Sequence, residues 1–154
     1  MNKWMKRYIA DLKNQEAKKA VYLFNDEFTN YNDTDIGIKT VQLLTRLGYE
    51  VIIPKHIDSG RTYLSKGLIR KAQKIAIKNV NYLKDIINSD SRLVGIEPSA
   101  ILTFRDEYPD LVGQELKQTA IELGKNALMI DEFLKQEIEN GNITKDKFHK
   151  KNSI

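Results

Sequence analysis

The chain alternates two kinds of apolar pattern. Ala20-Val21-Tyr22-Leu23-Phe24 is a short, continuously apolar run of the kind found in a strand buried on both faces. After a polar loop, Val41, Leu44 and Leu47 recur at helical spacing. Asp33 or Thr34 is placed to cap that helix and Gly48 to end it. Residues 49–53 read as a second strand. The stripe of Leu68, Ala72, Ile75, Ala76, Val80, Leu83 and Ile87 then predicts a helix over about 65–88.

Residues 92–96 form a third strand signal, which stops at Glu97-Pro98-Ser99. Pro98 suits a first helical turn, and Glu97 or Ser99 can cap it. A helix through Ile101, Leu102 and Arg105 follows, expected to end before Pro109. Residues 115–123 are helical, 126–130 a weaker strand, and 131–139 helical again, closed by Asn140-Gly141. Residues 1–17 form a lead-in helix carrying Trp4, Tyr8 and Leu12 on one side, 18–148 a single domain, and 149–154 a disordered tail.

Strand–helix–strand order with short links predicts a three-layer α/β domain. Its sheet is mostly parallel and Rossmann-like, with helices on both faces and the first three strands parallel. In such sheets ligands sit beyond the carboxyl ends of the strands. Three loops converge there: 25–31, 58–61 and 97–100. They place Asn25, Glu27, Asn30, Ser59, Arg61, Glu97, Ser99 and Arg105 around one expected cleft. Arg61 and Arg105, with the N–H groups at the helix start near Ser99, have the chemistry to hold a small carboxylate. The structural alternative is that each arginine pairs with Glu97, Asp106 or Glu107.

Composition removes several classes of function. There is no cysteine among the 154 residues, so this chain alone supplies no disulfide, zinc–thiolate site or thiolate-held cluster. The segment MNKWMKRYIADLKNQEAKK is too charged for a signal peptide, and no apolar stretch is long enough to span a membrane. A cytoplasmic location is expected. The net charge is +4, but 25 basic residues are interleaved with 21 acidic ones. Lys66, Arg70, Lys71, Lys74 and Lys78 lie away from the apolar stripe of their helix, as a solvated face would, and no aromatic residues alternate with them. No nucleic-acid partner is expected.

The familiar nucleotide fingerprints are absent, since neither GxGxxG nor GxxxxGK[ST] occurs. Asp26-Glu27 after the first strand resembles a phosphoacceptor position, but the third strand offers Glu97 before a proline where an aspartate is needed. His56 and His149 are too far apart in sequence to suggest a metal pair.

The loops FNDEFTNYNDTDIG, DSGRTYLSKGL and GIEPSAILTFRDEY resemble the C-terminal cysteine-rich (CCG) module of FAD-linked oxidases. These are large flavoproteins of the D-lactate, glycolate and D-2-hydroxyglutarate dehydrogenase type, and a similar module occurs in heterodisulfide reductase. The resemblance runs from about Val21 to Phe148. Cluster-binding members carry cysteine where this chain has Glu27, Cys-Cys-Gly where it has Asp58-Ser59-Gly60, and Pro-Ser-Cys where it has Pro98-Ser99-Ala100. The resemblance thus implies a module whose iron–sulfur ligands are gone, with FAD in a flavin-binding domain of the parent or in a partner subunit. It implies no cofactor in this chain and no oxidation by this chain alone. The other reading is a non-catalytic scaffold whose loops dock a partner.

Overall fold

The computed structural model describes residues 19–148. The predicted lead-in helix and the tail beyond Phe148, with His149, lie outside them. Four parallel strands, β1 (Lys19–Phe24), β2 (Tyr49–Ile52), β3 (Leu93–Gly95) and β4 (Ala127–Met129), form one sheet in the order β2-β1-β3-β4. Lys19 pairs with Tyr49, Tyr22 with Leu93, and Leu93 with Ala127. The parallel arrangement therefore extends to the fourth strand as well as the predicted three.

The continuous apolar runs have the expected cause. Alternate residues of β1 point to opposite faces, and both faces are covered. Val21 and Leu23 pack with Val41, Leu44, Val51, Leu128 and Phe133. Phe24 packs on the other side with Ala76, Val80, Leu83, Ile101, Phe104 and Leu123. The first layer comes from α1 (Glu27–Tyr31) and α2 (Thr34–Arg46), with a later helix described below. The second begins with α3 (Arg61–Ser65) and α4 (Ile69–Leu83), then continues through α5 (Pro98–Ile101), α6 (Thr103–Asp106), α7 (Tyr108–Leu111) and α8 (Gln114–Lys125). The helix α9 (Ile130–Glu139) returns to the first face, where Phe133 meets the Tyr49 ring edge-on at 5.3 Å.

Two helix boundaries differ from those expected. The predicted helix over 65–88 is broken, because Gly67 adopts φ +70° between α3 and α4, a region that disfavours side chains. Its tail also stops early, with Lys84 closing α4. The helix predicted to end before Pro109 becomes three short ones. Pro109 lies in the first turn of α7, where its missing N–H costs no helical bond. Asp33 sits at the predicted start of α2 but makes no side-chain cap bond. Glu97 does cap α5, accepting from the Ser99 amide at 3.3 Å.

Glu137, on α9 in the first layer, is a buried carboxylate, 5% exposed. It accepts from the Tyr49 hydroxyl at 2.5 Å, the Asn142 amide group at 3.0 Å and Lys19 Nζ at 3.2 Å. These bonds tie α9 to β2, to β1 and to the closing loop. Glu137→Ala leaves the Tyr49 hydroxyl buried without its acceptor, and should cost about 1–3 kcal/mol in urea unfolding. Gly95→Ala should cost a similar ~1–3 kcal/mol by overpacking, because an added Cβ would lie 2.4 Å from Ile101 Cβ.

Candidate functional site

The polar groups gather at the carboxyl ends of β1 and β2. Asp26 follows β1 and is 1% exposed. Its oxygens accept from the amides of Phe28 (2.8 Å) and Thr29 (2.9 Å) and from the Thr29 hydroxyl (2.7 Å). Both are thus engaged in capping α1. That cap projects Glu27 across to the loop after β2. There Glu27 Oε2 accepts from the Ser59 amide at 2.9 Å, and Oε1 accepts from the Ser59 hydroxyl at 2.6 Å.

The 57–60 turn is held from beneath as well. Asn79, fully buried on α4, accepts from the Ile57 amide at 2.9 Å and donates to the Asp58 carbonyl at 3.0 Å. Its second N–H donates to the Tyr108 hydroxyl at 2.8 Å, and that hydroxyl donates to the Ser59 carbonyl at 2.8 Å. Burial raises the Tyr108 pKa well above the usual phenol range. Gly60 then turns the chain into α3 at φ +84°, with Ile75 Cγ2 only 3.2 Å from where a Cβ would stand.

Beside this turn lies an open cleft of about 320 Å³, lined by Asn25, Glu27, Asn30, Tyr31, Ile53, Pro54, Lys55, His56, Ile57 and Asp58. It lies between the first two strand ends. The point where strand order reverses, between β1 and β3, is the usual ligand position in such sheets. Asn25 is 5% exposed, and its Nδ2 donates to Asn30 Oδ1 at 3.0 Å. Its Oδ1 is buried with no donor. His56 packs against the Phe24 ring at 4.6 Å, and its Nδ1 lies 3.1 Å from the Ile57 carbonyl. A carbonyl only accepts, so Nδ1 carries the proton. Burial lowers the His56 pKa, while burial and then the nearby Glu27 charge raise that of Asp58.

Of the eight residues predicted from the sequence, the cleft gathers Asn25, Glu27 and Asn30, and Ser59 is bonded to its wall. The other four face elsewhere. Arg61 pairs with Glu107 at 2.5 Å, one of the structural partners expected for it. Arg105 grips Glu132 at 2.7 and 3.1 Å and the Ala127 carbonyl at 2.8 Å, fixing α6 to β4 and α9. Glu97 and Ser99 bond to each other, the hydroxyl donating at 2.8 Å. Tyr31, Lys55, His56 and Asp58 join the lining. Asn79 carried a legible signal, a polar residue on the apolar stripe of a helix; Tyr108 carried none.

Comparison with known proteins gives the arrangement a context. D-2-hydroxyglutarate dehydrogenase of Escherichia coli (strain K12) is 25% identical over 131 residues, covering 85% of this chain and 12% of that protein. The Pseudomonas putida enzyme of the same name is 28% identical, covering 70% and 11%. The chain is related to a short segment of large dehydrogenases. One subunit of the anaerobic glycerol-3-phosphate dehydrogenase of Escherichia coli (strain K12) is also similar, 30% identical over 73% of this chain and 29% of that subunit. These relatives bear out the resemblance of the loops to the module of FAD-linked oxidases. The chain spans about an eighth of the first of them. No protein-family model matches it, and no solved structure matches it.

The four residues that the resemblance sets at cysteine positions offer no thiolate to an iron–sulfur cluster. Glu27, Asp58 and Ser59 offer hard oxygens, Ala100 offers no ligand, and Glu27 and Ser59 are already bonded to each other. Among the described residues, no three or more His, Cys, Asp or Glu side chains cluster to hold a metal ion.

Tyr108→Phe should cost about 1–3 kcal/mol in urea unfolding, since it leaves an Asn79 N–H and the Ser59 carbonyl buried without partners. The largest amide shifts should fall at Ile57 to Gly60. His56 gives a pH test. Its folded pKa is depressed below 6.5, so on acidification the unfolded chain takes the proton first. Stability should fall as pH drops through 6.5 towards the folded value. Asp58 titrates with the opposite sign, so the informative quantity is a difference. Between about pH 7 and pH 5, wild type should lose more stability than His56→Gln.

Proposed function

We propose that this chain is a cluster-less module of a larger flavin-linked oxidoreductase, contributing to a substrate-binding or electron-transfer site without catalysing alone. The observation that carries the reading is the asymmetry of coverage: the match takes in 85% of this chain but 12% of the dehydrogenase. The flavin, and the groups that would take a hydride or electrons, belong in this reading to the parent or to a partner subunit. No helix among the described residues is long and apolar enough to cross a membrane.

The family's cysteine positions support the cluster-less part. Glu27 and Ser59, two of the four, are joined by bonds of 2.6 and 2.9 Å, which close the space between the first two loops without metal. A small carboxylate at this edge would have to draw Arg61 away from Glu107. Phe28, Tyr31 and Ile36, 42%, 76% and 48% exposed, stand in one short segment beside the cleft. That favours contact between this edge and the remaining body of the parent, and it is also what a scaffold docking a partner would show.

The purified chain should be colourless after anaerobic incubation with iron and sulfide, with bound iron near zero. The variant combining Glu27→Cys, Asp58→Cys, Ser59→Cys and Ala100→Cys should take up iron and sulfide and turn brown. A brown wild-type chain with stoichiometric iron would sink the cluster-less reading.

A further inference from the structure

The stretch 59–84 carries seven lysines and arginines and no acidic residue, leaving 18 basic and 21 acidic residues elsewhere in the chain. Arg61 is paired with Glu107. Lys66, Arg70, Lys71, Lys74, Lys78 and Lys84 are all exposed, and none forms an ion pair among the described residues. Arg70, Lys74 and Lys78 stand four residues apart on α4 with Lys71 beside them, within about 100° of the helix circumference. Ala72, Ala76 and Leu83 fill the opposite side and are buried. At the head of this face the turn at Gly67 leads into two adjacent apolar residues, Leu68 and Ile69, 42% and 52% exposed. Lys66 and Arg70 flank them in sequence, and Lys71 lies over the Tyr63 ring at 5.6 Å.

We propose that this face of α4 docks the chain on an anionic lipid bilayer, its cations meeting the headgroups while Leu68 and Ile69 enter the interface. Cations gathered on one amphipathic helix are drawn to an anionic leaflet, and exposed apolar side chains beside them gain burial there. A wholly cationic face has no acidic group to fix the register of a protein partner, whereas a bilayer requires no register. This face belongs to the second layer, across the sheet from Phe28 and Tyr31 on α1. Lipid and parent enzyme therefore do not compete for one surface, and the proposal stands apart from the flavin-linked reading.

The test is cosedimentation of the full chain with phosphatidylcholine vesicles, with and without phosphatidylglycerol. Binding is expected only where phosphatidylglycerol is present, and it should weaken as salt rises. Lys74→Gln combined with Lys78→Gln should weaken it about 25-fold, at about fivefold per charge lost. Leu68→Gln combined with Ile69→Gln should weaken it about tenfold. All four side chains are exposed, so both variants should keep the wild-type urea midpoint. Absent binding, or equal binding to the neutral vesicles, would overturn the proposal. So would undiminished binding by either variant, which would move the contact to another part of the chain or leave the apolar pair out of it. Binding of poly-glutamate or a DNA duplex as tight as that of the vesicles would also sink it, since the face would then answer to any polyanion.

Discussion

Every strand of this sheet runs the same way, and that single constraint organises the rest. Parallel strands need crossovers, and crossovers place helices over both faces, so each strand is apolar on both sides. Val21 and Leu23 enter one core and Phe24 the other. Polar side chains that belong to the strands' own segments are pushed to the ends. At the carboxyl edge they meet, and the cleft is the result.

The edge is held by polar contacts reaching across long sequence separations. Glu27 grips Ser59 from 32 residues away, and Tyr108 holds the Ser59 carbonyl from 49. Asn79 occupies a position on α4 that an apolar residue would fill, and it satisfies three groups of the turn and of Tyr108 at once. A buried polar network of this kind is costly when broken and rigid when complete. It keeps the 57–60 turn in one shape. Glu27 and Ser59 close that edge by bonding to each other.

The arginines show how the same chemistry can serve structure. Arg105 satisfies a strand-end carbonyl and a carboxylate from a third element, so it fastens α6, β4 and α9 together. Burial is partial there, and the pair's contribution is correspondingly modest. Arg61 and Glu107 link the start of α3 to the junction of α6 and α7 in the same way. Neither arginine lines the cleft.

The sequence by itself determined the layers. Continuous apolar runs and helical stripes are local signals, and they marked all four strands within two residues of their ends, along with α2 and α8. The loops at the carboxyl edge were legible for the same reason, since strand direction follows from the alternation of elements. Only the tertiary structure decided which loop residues face one another. Glu27 turns to Ser59 but Glu97 turns to its own neighbour Ser99. Both are carboxylates following a strand, and nothing local distinguishes them. Hydrogen-bond partners are chosen by the distance and burial that packing imposes, and those depend on residues such as Tyr108, whose hydroxyl finds Ser59 only once both layers have closed on the sheet.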